Sequence, residues 1–103
     1  MPTLDDARTY LGIDVTNDEL INANVKRCLA TATKTLHGAV GEDIDTYLPD
    51  DPRATELVLI YTEDLYSQRG FNAKVSGATR KLVTAMEQQL RLELRQAREG
   101  ALP

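Results

Sequence analysis

Apolar and polar positions along the chain follow the helical period of about 3.6 residues in four stretches, and no window alternates well enough for a strand. Leu4, Ala7, Tyr10 and Leu11 form the first stripe. Thr3 with Asp6 three residues on resembles a capping box, and Gly12 supplies a stop, so a short first helix is predicted. Leu20, Ile21, Val25, Cys28, Leu29, Ala32 and Leu36 form a longer stripe. With Thr16 or Asn17 as cap, Asp18 and Glu19 in the first turn and His37-Gly38 as the stop, they predict a second helix over 17–37. Residues 38–51 hold two glycines, a proline and five acids, and predict a loop anchored by Ile44, Tyr47 and Leu48. Asp51-Pro52 places proline at a first helical position, where its missing N–H costs nothing, and a third helix is predicted to end near Arg69-Gly70. After a connection over 71–75, Ser76 is the expected cap of a long last helix over 77–98, closed by Gly100 and Pro103. The expected fold is all-α: about four helices, one short, two medium and one long at the C-terminus, in a single domain over 1–103.

Two of these helices look more apolar than a monomer of this size needs. Leu57, Val58, Leu59, Ile60 and Tyr61 are consecutive, and at about 100° per residue they point all around the third helix, which should be covered on nearly all sides, a cover that a four-helix monomer could just manage. On the last helix Val83, Met86, Leu90, Leu94 and Ala97 make one stripe and Arg91, Arg95 and Arg98 another, while Leu92 falls outside both. Leu92 is then either a tolerated exposed leucine beside a solvated basic face or part of a second contact surface. Leu59 and Tyr66 share the side of the third helix away from Leu57, Tyr61 and Leu65, and Phe71 follows just beyond. Exposed aromatics are typical interface anchors and arginines make a salt-sensitive rim, so Tyr66, Phe71, Arg91, Leu92 and Arg95 are the candidate oligomer-interface residues.

Leu, Ile, Val and Phe supply 25 of the 103 residues, above the roughly 20% floor for folded chains, so disorder is excluded for most of the sequence. The longest apolar run, Leu57 to Tyr61, is far short of the ~20 residues of a membrane span, and the amino terminus lacks a basic, apolar leader. A soluble, intracellular protein is expected. The net charge of −4 divides unevenly: residues 1–66 hold 13 acids and 5 bases, residues 67–103 hold 3 acids and 7 bases. That split suits either head-to-tail pairing of copies or an internal match within one chain.

Chemistry is sparse. Cys28 and His37, nine residues apart on one predicted helix, are separated by about 13.5 Å and lie on opposite faces, too far for a nucleophile and its base. Cys28 belongs to the apolar stripe and is expected in the core, and His37 is expected to face the carbonyls at the end of its helix. A calcium loop starting at Asp43 would place Leu48 at the required glycine and Ala54 at the required glutamate. No phosphate-cradling Gly-Lys-Ser/Thr motif and no His-Glu metal motif occurs. The expectation is a protein that is not an enzyme and holds no cofactor or metal.

Several segments carry a resemblance: the opening Thr3-Leu4-Asp5-Asp6-Ala7-Arg8-Thr9-Tyr10-Leu11-Gly12-Ile13-Asp14, the acidic entry Asp18-Glu19-Leu20-Ile21, the helix start Asp51-Pro52-Arg53, and Tyr61-Thr62-Glu63-Asp64-Leu65-Tyr66-Ser67-Gln68-Arg69. Together they resemble the small head-tail connector (head-completion, DNA-packaging) proteins of tailed double-stranded DNA bacteriophages and prophages. The resemblance covers essentially the whole length and the order of elements. Its motifs are helix starts and apolar positions, with no catalytic signature. The chain departs from many relatives in a slightly longer acidic loop over 42–51 and in having no tryptophan around Tyr66.

The resemblance implies an all-helical subunit made in the bacterial cytoplasm and assembled, as a ring expected to be dodecameric, at the virion neck. Its partners would be further copies of itself, the portal protein and a tail-side or stopper protein. DNA would pass through the channel without sequence-specific binding, and no membrane is involved. Glu42, Asp43, Asp45, Asp50 and Asp51 are the candidate channel-facing loop, since an acidic wall offers phosphates no cationic partner. Five carboxylates cannot be buried unpaired, so this segment is expected to face solvent while Tyr47 and Leu48 pack inward. The alternative is a small helical DNA-binding or antitoxin-like regulatory module that uses Arg80, Lys81, Arg91, Arg95 and Arg98.

Overall fold

The computed structural model describes residues 1–13, 18–67 and 77–101, and among them every regular element is a helix. In chain order these are α1 (Leu4–Leu11), α2 (Glu19–Val40), α3 (Ile44–Tyr47), α4 (Pro52–Ser67) and α5 (Gly77–Gly100). The all-α expectation holds, with one short turn of helix more than the sequence pattern showed. No helix among the described residues is long and apolar enough to cross a membrane.

The local signals at α1 operate as predicted. The Asp6 N–H donates to Thr3 Oγ1 at 3.1 Å and the Thr3 N–H donates to Asp6 Oδ2 at 2.9 Å, a complete capping box. At the other end Gly12 takes the left-handed conformation, φ 72°, that lets its N–H reach the carbonyls of Arg8 and Thr9.

The bounds of α2 differ from expectation at both ends. Its cap is Asp18, whose carboxylate accepts from the N–H groups of Leu20 and Ile21 at 2.9 and 3.3 Å, so the helix starts at Glu19, two residues beyond the predicted start; Thr16 and Asn17 lie outside the described residues. The helix runs through Gly38 and stops at Gly41, so His37-Gly38 is not its end. A helical glycine costs about 1 kcal/mol against alanine. Burying Val40 in the core, with 8% of its surface exposed, is worth more than that. Gly41 is where glycine is required: its φ is 149°, and a Cβ there would stand 2.6 Å from both Leu94 Cδ2 and Arg98 Nη2.

The predicted loop over 38–51 is therefore the end of α2, a turn, α3 and a second turn in which Asp50 takes φ 56°. Its true anchor is Ile44, fully buried, with Leu48 packed against the same core. Tyr47 does not pack inward as expected but is 37% exposed at the last position of α3. α4 starts as predicted at Pro52, with the Arg53 N–H donating to Asp51 Oδ1 at 2.9 Å. The expected ends near Arg69-Gly70 and the cap Ser76 lie outside the described residues.

Two hydrophobic clusters share α2 and α4. The larger contains Ala32, Leu36, Val40, Ile44, Ala54, Leu57, Val58, Met86, Leu90 and Leu94, joining α2, α3, α4 and α5. The smaller holds Ala7, Val25 and Leu59, with Leu4, Leu11, Ile21 and Tyr66 against it, and joins α1 to α2 and α4. α1 thus covers the N-terminal part of α2 and α5 the C-terminal part. Polar ties reinforce both: Arg8 Nη1 donates to Asn22 Oδ1 at 3.1 Å, the Tyr61 hydroxyl donates to Glu87, and Arg53 pairs with Glu93.

Candidate interaction surfaces

With clusters on two of its sides, α4 has no spare apolar face. Leu57 and Val58 are fully buried, Leu59 is 9% exposed, and Ile60 and Tyr61 pack at the edge of the larger cluster. Of the two ways to cover its surplus apolar surface, a neighbour or the rest of the same chain, the second is the one seen. Tyr66, expected as an exposed anchor on the same side as Leu59, is half-buried against the smaller cluster, so α1 supplies the cover assigned to a neighbour. Phe71 lies outside the described residues.

α5 differs. Met86, Leu90 and Leu94 bury one stripe, whereas Leu82 is 55% and Leu92 56% exposed. Leu82, Ala85, Gln89, Leu92 and Gln96 recur at alternating steps of three and four, all exposed, and form an outward seam with heptad spacing. On a helix of about 100° per residue, Leu92 points some 160° from the middle of the buried stripe. Lys81, Gln88 and Arg95 border one side of the seam, with Arg91 next to Arg95. Arg91 has no ion pair among the described residues, and Arg95 only a loose exposed contact with Glu99 at 3.4 Å, which holds neither side chain firmly. Of the five candidate interface residues, this face contains Arg91, Leu92 and Arg95, while Tyr66 stays half-buried at the edge of the smaller cluster.

The acidic segment is solvent-facing but largely engaged. Glu42, Asp45 and Asp50 are exposed, while Asp43 and Asp51 are half-buried. Arg98 clamps Asp43 through Nε and Nη2, and this hydrogen bonding holds the Asp43 carboxyl below its ordinary range. Arg53 grips Asp51 through Nε at 3.1 Å and Nη2 at 2.9 Å, with the same direction of shift on Asp51. The same guanidinium is the charge partner of Glu93, whose enclosed Oε2 meets no other donor. His37 does not face the helix-end carbonyls but meets Asp45 Oδ2 at 2.9 Å. Part of the charge split is thus an internal match: Arg98, counted with the basic stripe, is already spoken for by the acidic segment.

Between α1 and α4 lies a shallow groove of ≈ 360 Å³ lined by Asp6, Thr9, Tyr10, Thr55 and Leu59. Tyr10 is 37% exposed. Its hydroxyl is pushed above the ordinary tyrosine value, first by partial burial and then by the negative charges of Glu56 and Glu63 nearby. Both glutamates are exposed, and neither has an ion-pair partner among the described residues. The sequence reading missed this groove. Its signal was present: Glu56, Thr55, Leu59 and Glu63 fall on one face of α4 by helical spacing, but only the packing of α1 shows that Tyr10 stands beside them.

Cys28 is buried with 6% of its surface exposed, one turn from Val25 and Ala32 on the core side of α2. No group of three or more His, Cys, Asp or Glu among the described residues is placed to hold a metal ion. Compared with known proteins, the chain matches no family model, no curated protein and no solved structure.

Proposed function

We propose that this chain is a structural subunit of a tailed-phage head-tail connector, a ring that joins the portal to the tail and continues the DNA channel. The observation that carries the reading is the division of surfaces: the apolar core is closed within one chain, yet α5 still presents a leucine seam with a basic border to solvent. Leu20 on α2 is exposed too, at 71%, but stands apart from this face; two leucines more than half exposed on one helix face with arginines at its edge are the arrangement that supports a protein contact. The segments that carry the family resemblance support it, since they fold as architectural devices, the α1 capping box and the Asp51 start of α4. The acidic segment in this reading borders the channel through Glu42 and Asp50, while Asp43, Asp45 and Asp51 are held by Arg98, His37 and Arg53. A DNA-binding or antitoxin-like module has less support, because one of its five cations, Arg98, is engaged with Asp43.

The test is assembly. Purified protein mixed with a tailed-phage portal protein is expected to form rings in negative-stain electron microscopy and to co-sediment with the portal. Absence of a portal complex, together with salt-dependent binding to short duplex DNA that Arg91→Glu abolishes, would replace the connector reading with the regulatory one.

A further inference from the structure

The α5 seam and the α1–α4 groove complement each other in charge, and one chain cannot bring them together. α1 sits over Ile21 and Val25 of α2, α5 over Ala32, Leu36 and Val40, and the seam points away from the bundle that carries the groove. We propose that the protein associates head to tail, with Leu92 of one copy seated in the α1–α4 groove of the next and its Arg91 and Arg95 facing that neighbour's Glu56 and Glu63. This rests on the ring reading above and names the surfaces that would build it. The groove has an aromatic wall, Tyr10, and a floor at which the small exposed edge of Leu59 shows beside Thr9, Thr55 and the carboxylate of Asp6. Beside Tyr10 stand two carboxylates, Glu56 and Glu63, without ion-pair partners among the described residues, and the seam's border carries two guanidinium groups that are unpaired or loosely paired among those residues.

Charge also decides against the simplest rival, a symmetric pairing of two α5 seams. Lys81 and Arg95 lie on the same border of the seam, so antiparallel seams would set Lys81 of one copy against Arg95 of the other. A groove and a knob on different parts of one molecule form a heterologous contact instead, which propagates and closes into a ring when the rotation allows.

Sedimentation velocity on the full chain tests the pairing. Wild type is expected to associate with rising concentration, while Tyr10→Asp and Leu92→Asp each sediment as monomers and keep their helical circular dichroism. Mixed in equal amounts, those two variants retain one intact groove and one intact seam, so a one-to-one dimer is expected and nothing larger. Should Tyr10→Asp fail to fold, surface charge reversal serves: Glu56→Lys/Glu63→Lys and Arg91→Glu/Arg95→Glu each associate about tenfold or more weakly, and their mixture recovers wild-type size because both contacts again pair opposites. If wild type associates but neither mixture recovers, the contact lies elsewhere; rings on the portal would then leave the connector reading standing while this interface falls. A wild type that stays monomeric to about 1 mM also overturns the interface. Duplex DNA retained through Arg91 and Arg95, with association unaffected by their reversal, would put nucleic acid on the seam and overturn the proposal too.

Discussion

α4 and α5 both carry more leucine than a single buried stripe requires, and they dispose of it in opposite ways. α4 lies where two clusters meet, so that α1, α2 and α5 together cover Leu57, Val58 and Leu59. α5 rests on the bundle along one stripe and leaves Leu82 and Leu92 more than half exposed. An apolar run all around a helix therefore reports how many neighbours it has within its own chain. Leu82 and Leu92, outside the buried stripe of α5, have no such neighbour among the described residues. Surplus apolar surface becomes evidence for a partner only in the second case.

The largest expected effect tests the wrapping of α4. Leu57→Ala removes a fully buried side chain between α2 and α5 and is expected to cost about 2–5 kcal/mol in urea unfolding, the range for a poorly collapsing core cavity. A loss below about 1 kcal/mol would mean that α4 is not enclosed on that side. Next comes the place where α5 closes on the bundle. Gly41→Ala puts a Cβ 2.6 Å from Leu94 and Arg98 on a backbone with φ 149°, so roughly 1–3 kcal/mol is expected from strain and displaced packing. If Gly41→Ala unfolds at the wild-type midpoint, the close approach of α5 to the end of α2 is absent.

A smaller effect comes from the ion pairs that fasten α3, α4 and α5. Asp43 is lowered chiefly by the Arg98 hydrogen bonds, Asp51 by those of Arg53, and Asp6 by the Thr3 N–H. Each carboxyl thus has a folded value below its unfolded value near 3.8. The unfolded chain takes up protons first as the solution is acidified, so this stability is fully present above that value and is lost as pH falls through the folded values. Urea midpoints are expected to stay level on this account from pH 7 to 5 and to drop below about pH 4. Arg53→Ala and Arg98→Ala should flatten the acid limb. An unchanged limb in both variants would show that the pairs do not hold these carboxylates.

Local signals carried most of the fold in the sequence. The Thr3 and Asp6 box, Gly12 and the Asp51-Pro52 start are short-range chemistry, complete within four residues, and each forms as read. What depended on distant packing was not legible. Gly38 looks like a stop until Val40 and Ile44 are seen in the core, and Tyr66 looks unpartnered until α1 is folded onto α4. The pairing of Arg98 with Asp43 spans 55 residues and leaves no local trace. Leu92 could be picked out because it depends on a single helix: its angle to the buried stripe follows from residue count alone, as does the Leu82 to Gln96 seam that the earlier stripes obscured.

The smallest expected effect is the most informative about α5. Leu92 is 56% exposed and has no place in either cluster, so Leu92→Ser removes little from the folded chain that the unfolded chain did not also expose. Its cost in monomer stability should stay within about 0.5 kcal/mol, the usual bound for surface substitutions, against several for Leu57→Ala. The comparison must be run in dilute solution, because any self-association through the seam adds stability that grows with protein concentration. Wild type should then gain unfolding midpoint on concentration while Leu92→Ser should not. A dilute-solution loss above about 1 kcal/mol would place Leu92 inside the fold, and the contrast between a wrapped α4 and a half-covered α5 would fail at the residue that defines it.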